Sequence, residues 1–208
     1  MGLFDFFTNK KPNTDKETRS VFGQTILGSS FSASGETITK EQAIRIATVW
    51  SCVRVLSETI ASLPICLYSK DDSNRKIKLT NDPLNNLVGE QPSPLYNSFM
   101  FFERALVDMS FDGNFCAYIE RNQGGLPIAL HPIQFKDVDV YLSPDGREVY
   151  YEVTQNIETP YPVSGKVQSM NMIHVKGLSF DGIVGKPPIE AAAETLGISI
   201  SLDKHAGS

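Results

Sequence analysis

Apolar residues recur at helical spacing between residues 40 and 63, where Thr39 and Gln42 form a capping-box pattern at the start. Two adjacent apolar stripes run along this segment: Trp50, Val53, Ile60 and Leu63, and beside them Val49, Cys52, Leu56 and Thr59. A helix that is apolar over so much of its circumference is expected to pack on two sides. Pro64 ends it, because the residue before a proline is forced out of the helical region.

The next segments alternate between short strands and helices. Residues 65–68 and 76–79 are predicted to pair as strands around a turn at residues 71–74. A short helix is predicted from Asp82-Pro83 to Val88. A longer one begins at Asn97 or Ser98 and ends at Gly113-Asn114.

The second half of the chain has the character of strands. The predicted strands are 115–121, 126–132, 138–142, 149–153 and, after a loop with Pro160 and Pro162, 172–176. Gly-rich and Pro-Asp-Gly turns between successive strands indicate an antiparallel meander. A last helix is predicted after Pro188. The chain is therefore predicted to be α+β, with long helices packed on a mainly antiparallel sheet.

The first 36 residues have a different composition. After the apolar start Met1–Phe7, residues 8–36 are rich in Lys, Asn, Thr, Ser and Gly, which predicts a flexible N-terminal arm followed by one domain over 37–208. The start lacks the basic region and the long apolar core of a signal peptide. We expect it to dock on a neighbouring surface.

Charge and cysteine content exclude some classes of protein. The formal net charge of −5 argues against a DNA-coating surface, because phosphate contact requires clustered Lys and Arg. The cysteines, Cys52, Cys66 and Cys116, are odd in number and each lies in an apolar stretch. We expect three buried, reduced thiols.

Motifs for catalysis or cofactors are not found. The chain has no GxxxxGK[ST], GxGxxG, GxSxG or HExxH pattern, so no catalytic centre, cofactor or metal ion is expected. Asp137 and Asp139 share one strand face, which indicates a solvent-facing edge. One alternative stays open, a small cytosolic hydrolase that uses Cys116 with His131 or His174, since only geometry can decide it.

Several segments, in order, resemble the HK97-like family of tailed-phage portal proteins. They are the helix segment 49–64, the segments 82–87 and 91–94, Gly113-Asn114-Phe115-Cys116-Ala117, and the segments 125–130, 173–177 and 181–189. Phe115 and Cys116 depart from the Gly-Asn-Ala-Tyr pattern of that family. The resemblance implies the wing of a portal.

In that family, portals are rings of about twelve copies at the capsid vertex of a virion, made in the host cytoplasm, through which DNA is packaged and ejected. The resemblance implies as partners other copies of the chain, the major capsid protein and scaffold, and DNA held non-specifically in the channel. Terminase and tail adaptors would be met through stem, clip and crown regions, which are absent from this sequence. Another head-completion or interaction module is the remaining alternative. The residues expected at subunit interfaces or in packing are Trp50, Val53, Leu56, Ile60 and Leu63.

Overall fold

The computed structural model describes residues 30–31, 37–38, 47–157 and 160–191. The apolar start, the capping-box pair Thr39 and Gln42 and the rest of the predicted C-terminal helix after residue 191 lie outside this part of the chain. The described helices are α1 (Ala47–Ala61), α2 (Pro83–Gly89), α3 (Ser98–Asp112) and α4 (Pro188–Ala191). The strands are β1 (Ser30–Phe31), β2 (Thr37–Ile38), β3 (Tyr68–Lys70), β4 (Lys76–Lys78), β5 (Asn114–Arg121), β6 (Pro127–Ile133), β7 (Val138–Leu142), β8 (Val149–Val153), β9 (Gly165–Gln168) and β10 (Met172–Lys176).

The helix ends follow the capping residues in the sequence. The Asp82 side chain accepts a hydrogen bond from the Leu84 amide at 2.8 Å, and the Asn97 side chain accepts one from the Met100 amide at 2.8 Å. Gly113 ends α3 in the left-handed conformation at φ 69°. Each bond satisfies a backbone amide that has no partner within its helix.

The strands form two three-stranded antiparallel sheets, in the orders β10-β5-β6 and β7-β8-β9, and two hairpins, β1-β2 and β3-β4. The prediction of one continuous meander is wrong. A 3₁₀ turn at Phe135–Asp137 separates β6 from β7, and the chain later returns to pair β10 with β5. The structure also contains β9, where the sequence indicated only a loop around Pro160 and Pro162.

The predicted hairpin after α1 exists, but its first strand begins at Tyr68 and not at residue 65. Tyr68 is paired with Lys78, and Lys70 with Lys76. The turn lies at residues 71–74 as predicted, with Asn74 at φ 60°. Asn tolerates this left-handed conformation better than most residues.

Both faces of the sheet β10-β5-β6 are buried, so the molecule is layered. One face packs on α2 and α3 around a core of Leu87, Phe101, Ala105, Phe115, Ala117 and Leu130. The other face packs on the sheet β7-β8-β9 around a core that includes Cys116, Ile133, Val140, Tyr151, Val153 and Met172. Helices, first sheet and second sheet therefore follow one another, which is the mixed architecture predicted.

Helix α1 packs against α3 through one narrow face. That face consists of Val53, Ser57 and Ala61, which are buried and four residues apart. Two of the three are small, so the helix backbones can approach closely. The sequence predicts that this helix packs on two sides. Among the described residues, it packs on this one side.

Candidate functional site

The side chain of Asn114, at the junction of α3 and β5, takes part in four hydrogen bonds. Its side chain is fully buried. The Oδ1 atom accepts hydrogen bonds from the Gly185 amide at 2.7 Å and from His174 Nε2 at 3.0 Å. The Nδ2 atom donates to the carbonyls of Gly185 at 2.8 Å and Asp112 at 2.9 Å. Asn114 therefore ties the segment before α4 to the centre of the first sheet.

Glycines allow three chain segments to meet around Asn114. The Gly177 amide donates to the Gly113 carbonyl at 2.8 Å. A Cβ atom at Gly185 would overlap that same carbonyl oxygen, and one at Gly113 would overlap the Lys186 carbonyl. We call Gly113, Asn114, His174, Gly177 and Gly185 the Asn114 cluster. It joins three of the segments that carry the family resemblance, and it fixes where α4 begins.

The loop between Gly177 and Gly185 is held by its own aspartate. The Asp181 carboxylate accepts hydrogen bonds from the amides of Ile183 at 2.8 Å and Val184 at 3.0 Å and from the Ser179 hydroxyl at 3.0 Å. Partial burial opposes ionisation, but these donors outweigh it and lower the pKa of Asp181. The chain therefore bends tightly after Asp181, where Gly182 has φ 73°.

His174 links the Asn114 cluster to the second sheet. Its Nδ1 atom lies 3.4 Å from the Tyr151 hydroxyl, and its ring stacks on Phe135 with centroids 5.7 Å apart. Burial, and secondly the nearby charge of Lys176, lower the pKa of His174 to about 4. Burial also raises the pKa of Tyr151 to about 12. Both groups are therefore neutral at physiological pH, and they bridge the two sheets as a hydrogen-bonding pair.

The candidate cysteine nucleophile is placed unfavourably for catalysis. Cys116 lies directly opposite His174 on paired strands, yet the ring nitrogens of His174 are engaged by Asn114 and Tyr151. Cys116 is fully buried, and this burial raises its pKa well above the usual value, so the thiol stays protonated. His131 instead contacts Glu120, at 2.8 Å between Nε2 and Oε2. This geometry disfavours the hydrolase alternative.

Two other expectations for polar residues need correction. Cys52 is exposed and Cys66 is half-buried, so only Cys116 is the buried thiol that was expected. Asp137 is not at a solvent-facing strand edge, because it lies in the 3₁₀ turn before β7. Its carboxylate accepts hydrogen bonds from the Tyr161 hydroxyl at 2.7 Å and from Asn156 Nδ2 at 3.1 Å. Asp137 therefore braces the connection between the sheets.

The five predicted interface or packing residues divide into two groups. Val53 is buried against α3, with 8% of its surface exposed. Trp50, Leu56, Ile60 and Leu63 are 45%, 57%, 43% and 60% exposed. Leu56, Ile60 and Leu63 follow one another along one side of the helix end, and we call these three the α1 apolar face. An Arg54–Glu58 ion pair at 2.6 Å lies on the other side of α1.

The described residues include neither a cluster suited to a metal ion nor a helix suited to crossing a membrane. Within residues 47–157 and 160–191, no three His, Cys, Asp or Glu side chains are arranged to hold a metal ion. The helices in that part of the chain all fall short of the length and apolar character of a membrane span.

Comparison with known proteins gives a consistent result. A family model described as phage portal protein matches residues 47–208. The portal protein of Enterobacteria phage HK97 is 30% identical over 194 residues, which cover 92% of this chain and 42% of that protein. A probable portal protein of Streptomyces phage phiC31 is 28% identical, covering 83% of this chain and 38% of that protein. The chain thus spans about two fifths of the length of these two relatives.

Solved structures share the fold. A neck structure of an empty gene transfer agent (GTA) particle matches with a TM-score of 0.65 at 20% identity, covering 81% of this chain and 45% of that one. A crystal structure of an HK97 family phage portal protein from Corynebacterium diphtheriae matches with a TM-score of 0.55 at 18% identity, covering 81% and 49%. The order of helices and sheets described above is therefore that of a known architecture.

Proposed function

Since this chain belongs to the phage portal protein family, we propose that it is a structural subunit of a ring at the vertex of a phage head, through which DNA is packaged and ejected. The proposed role is assembly and not catalysis. In this proposal the protein resides in the virion after synthesis in the host cytoplasm. Residues 1–36 serve as an arm and residues 37–208 as the wing of the subunit.

A ring requires each subunit to offer two different faces, one to each neighbour. One structural neighbour is a neck of a native GTA particle computed with C12 symmetry, with a TM-score of 0.60 at 17% identity over 90% of this chain and 45% of that one. By analogy we propose a ring of twelve copies. Major capsid protein and scaffold would contact its outside. Terminase and tail adaptors would be further partners of the ring, and DNA would pass non-specifically through the channel.

The observation that carries this proposal is the α1 apolar face. Leu56 and Ile60 on α1, and Leu63 two residues beyond its end, are large, apolar and about half exposed, while another side of the helix is packed on α3. Full burial of one such side chain contributes about 1.5–3 kcal/mol. We propose that a neighbouring subunit covers this face. Trp50, at the start of the same helix, is the next candidate for burial.

The test is assembly of a double variant, Leu56→Glu/Ile60→Glu. Two charged groups in a closed interface should weaken association by roughly 3 kcal/mol or more, about 100-fold in the dissociation constant. Native mass spectrometry of wild type and variant measures this directly. Val55→Glu is the matched control, because Val55 is 63% exposed on the same helix but lies outside the apolar face. Equal loss of assembly in both variants would remove the support that α1 gives.

A further inference from the structure

Two surfaces on different layers of the molecule each hold a pair of like charges at directly opposed strand positions. On the hairpin β3-β4, Lys70 is opposite Lys76. On the sheet β7-β8-β9, Asp139 is opposite Glu152. Like charges at directly opposed positions repel each other and destabilise the strand pair. The two pairs have opposite signs, which makes them complementary to each other.

The first surface, which we call the basic hairpin, consists of Tyr68, Lys70, Lys76 and Lys78. These four residues occupy alternate positions, share one face of β3-β4 and are all exposed. A two-stranded hairpin with so little buried surface is marginally stable on its own. The hairpin is held at its base, where the Leu67 amide donates to the Asn85 side chain at 3.0 Å.

The charge of the basic hairpin is not neutralised by its own carboxylates. Within the described residues, the ion pair formed at this hairpin joins Asp71 to Arg75 in the turn, at 2.9 Å. Lys78 instead lies beside the thiol of Cys66, which raises the pKa of the Lys78 ammonium. Three lysines therefore present their charge on one face.

The second surface, which we call the acidic sheet face, consists of Asp139, Tyr141, Tyr150 and Glu152. Val138, Val140, Tyr151 and Val153 point into the core, so these four alternate residues form the outer face of β7 and β8. Tyr141 and Tyr150 stack with centroids 5.2 Å apart. Partial burial, and then the charge of Glu152, raise the pKa of Asp139.

Among the described residues, the cation opposite Glu152 makes its close contact with a tyrosine ring and not with a carboxylate of this pair. Lys166 on β9 is the strand partner of Glu152, but its ammonium lies 3.9 Å above the centroid of the Tyr150 ring. This cation–π contact directs Lys166 towards the tyrosines. The carboxylates of Asp139 and Glu152 remain beside each other at the outer surface.

We propose that the basic hairpin of one copy of this chain binds the acidic sheet face of the next copy. The hairpin is attached through α2 to the helix layer, whereas the acidic sheet face lies on the far side of both sheets. Because these layers are on opposite sides of the molecule, the contact joins two copies. It is a contact between unlike faces, as a ring requires, and it relieves both like-charge repulsions at once. This inference rests on the ring proposed above.

A crosslinking experiment on the assembled ring tests the contact itself. Rings are formed from an equal mixture of ¹⁵N-labelled and unlabelled subunits and treated with a carbodiimide, which joins Lys amines to nearby carboxylates. We expect crosslinked peptides in which one partner is ¹⁵N-labelled and the other is not. They should join Lys70 or Lys76 to Asp139 or Glu152. Rings that give other mixed-label crosslinks but none between these two surfaces would overturn the inference.

Charge reversal tests the energetics. Lys70→Glu/Lys76→Glu should raise the subunit concentration needed for half-assembly roughly tenfold at low salt, and the effect should shrink at high salt. The fourfold variant that adds Asp139→Lys/Glu152→Lys restores opposite charges at every contact, so it should recover assembly. Lys136→Glu/Lys186→Glu changes the net charge equally outside both surfaces and should assemble within about twofold of wild type.

The outcomes separate this inference from the proposed function. A wild-type protein that forms no ring refutes the proposed function. A wild-type ring that is unaffected by Lys70→Glu/Lys76→Glu, or a fourfold variant that is no better than the double variant, refutes the contact between these surfaces and leaves the ring intact.

Discussion

At the scale of the residue, the single side chain of Asn114 holds several buried groups through hydrogen bonds. It satisfies both backbone groups of Gly185 and one nitrogen of His174 inside the core. A buried polar group that loses its partner costs about 1–3 kcal/mol. Since Asn114 has several such partners, its loss leaves more than one buried group without a hydrogen bond.

We predict that Asn114→Ala lowers the free energy of unfolding by about 3 kcal/mol or more, because the Gly185 amide and carbonyl lose their partner in a buried site. Gly185→Ala should cost a similar amount through overlap with the Gly113 carbonyl. Denaturant unfolding followed by circular dichroism measures both. Gly124→Ala, in an exposed turn, is the control and should change stability by less than about 1 kcal/mol.

His174 makes stability depend on pH. Its folded pKa of about 4 lies below the usual value of 6.5, so the unfolded chain binds a proton that the folded chain does not. The stability from this residue is complete above pH 6.5 and is lost as the pH falls towards 4. We predict a loss of up to about 3 kcal/mol over this window.

Thermal unfolding between pH 7 and pH 4 tests this dependence. His174→Gln removes the titrating ring while keeping a polar side chain between Asn114 and Tyr151. The variant should be less stable at pH 7 but should show a flatter pH profile than wild type. Profiles of equal slope would show that other groups cause the acid sensitivity.

At the scale of the element, α1 shows what the sequence pattern could predict and what it could not. The predicted start of the helix near Thr39 lies outside the described residues, whereas its end before Pro64 and its wide apolar surface follow from local periodicity. Which apolar side is buried does not, because the contact with α3 uses Val53 together with the small residues Ser57 and Ala61. A buried serine has no signal in a hydrophobic pattern. The other apolar side is exposed, and we propose that a neighbouring copy of the chain covers it.

We predict that Ser57→Leu separates α1 from α3. Ser57 is 1% exposed, and its hydroxyl donates to the Arg54 carbonyl at 3.1 Å. A larger side chain in this tight contact should cost about 1–3 kcal/mol of folding stability through overpacking. Thr59→Leu, an exposed position on the same helix, is the matched control and should leave the melting temperature nearly unchanged.

For the strands too, some features could be predicted from the sequence and others could not. Strands β7, β8 and β10 match the predicted limits, since alternation and turn residues are local signals. The return of β10 to β5 and the split into two sheets depend on contacts about sixty residues apart, such as His174 with Asn114. Asp137 was misassigned for the same reason, because its partners Tyr161 and Asn156 are distant in sequence. Local patterns do not encode such pairings.

At the scale of the whole molecule, layers of different character lie on opposite sides. The helix layer carries the α1 apolar face and the basic hairpin, and the second sheet carries the acidic sheet face. A subunit whose opposite sides differ in this way can associate head to tail, and the geometry then closes a ring or forms a filament. Membership in the portal family favours closure.

Native mass spectrometry of the protein translated from the whole reading frame tests the central claim most directly. Even a micromolar interface is saturated at a subunit concentration of about 100 μM. The account predicts a closed ring of about twelve copies under these conditions, with assembly lost in Leu56→Glu/Ile60→Glu and kept in Val55→Glu. A wild-type protein that remains monomeric at this concentration would contradict it.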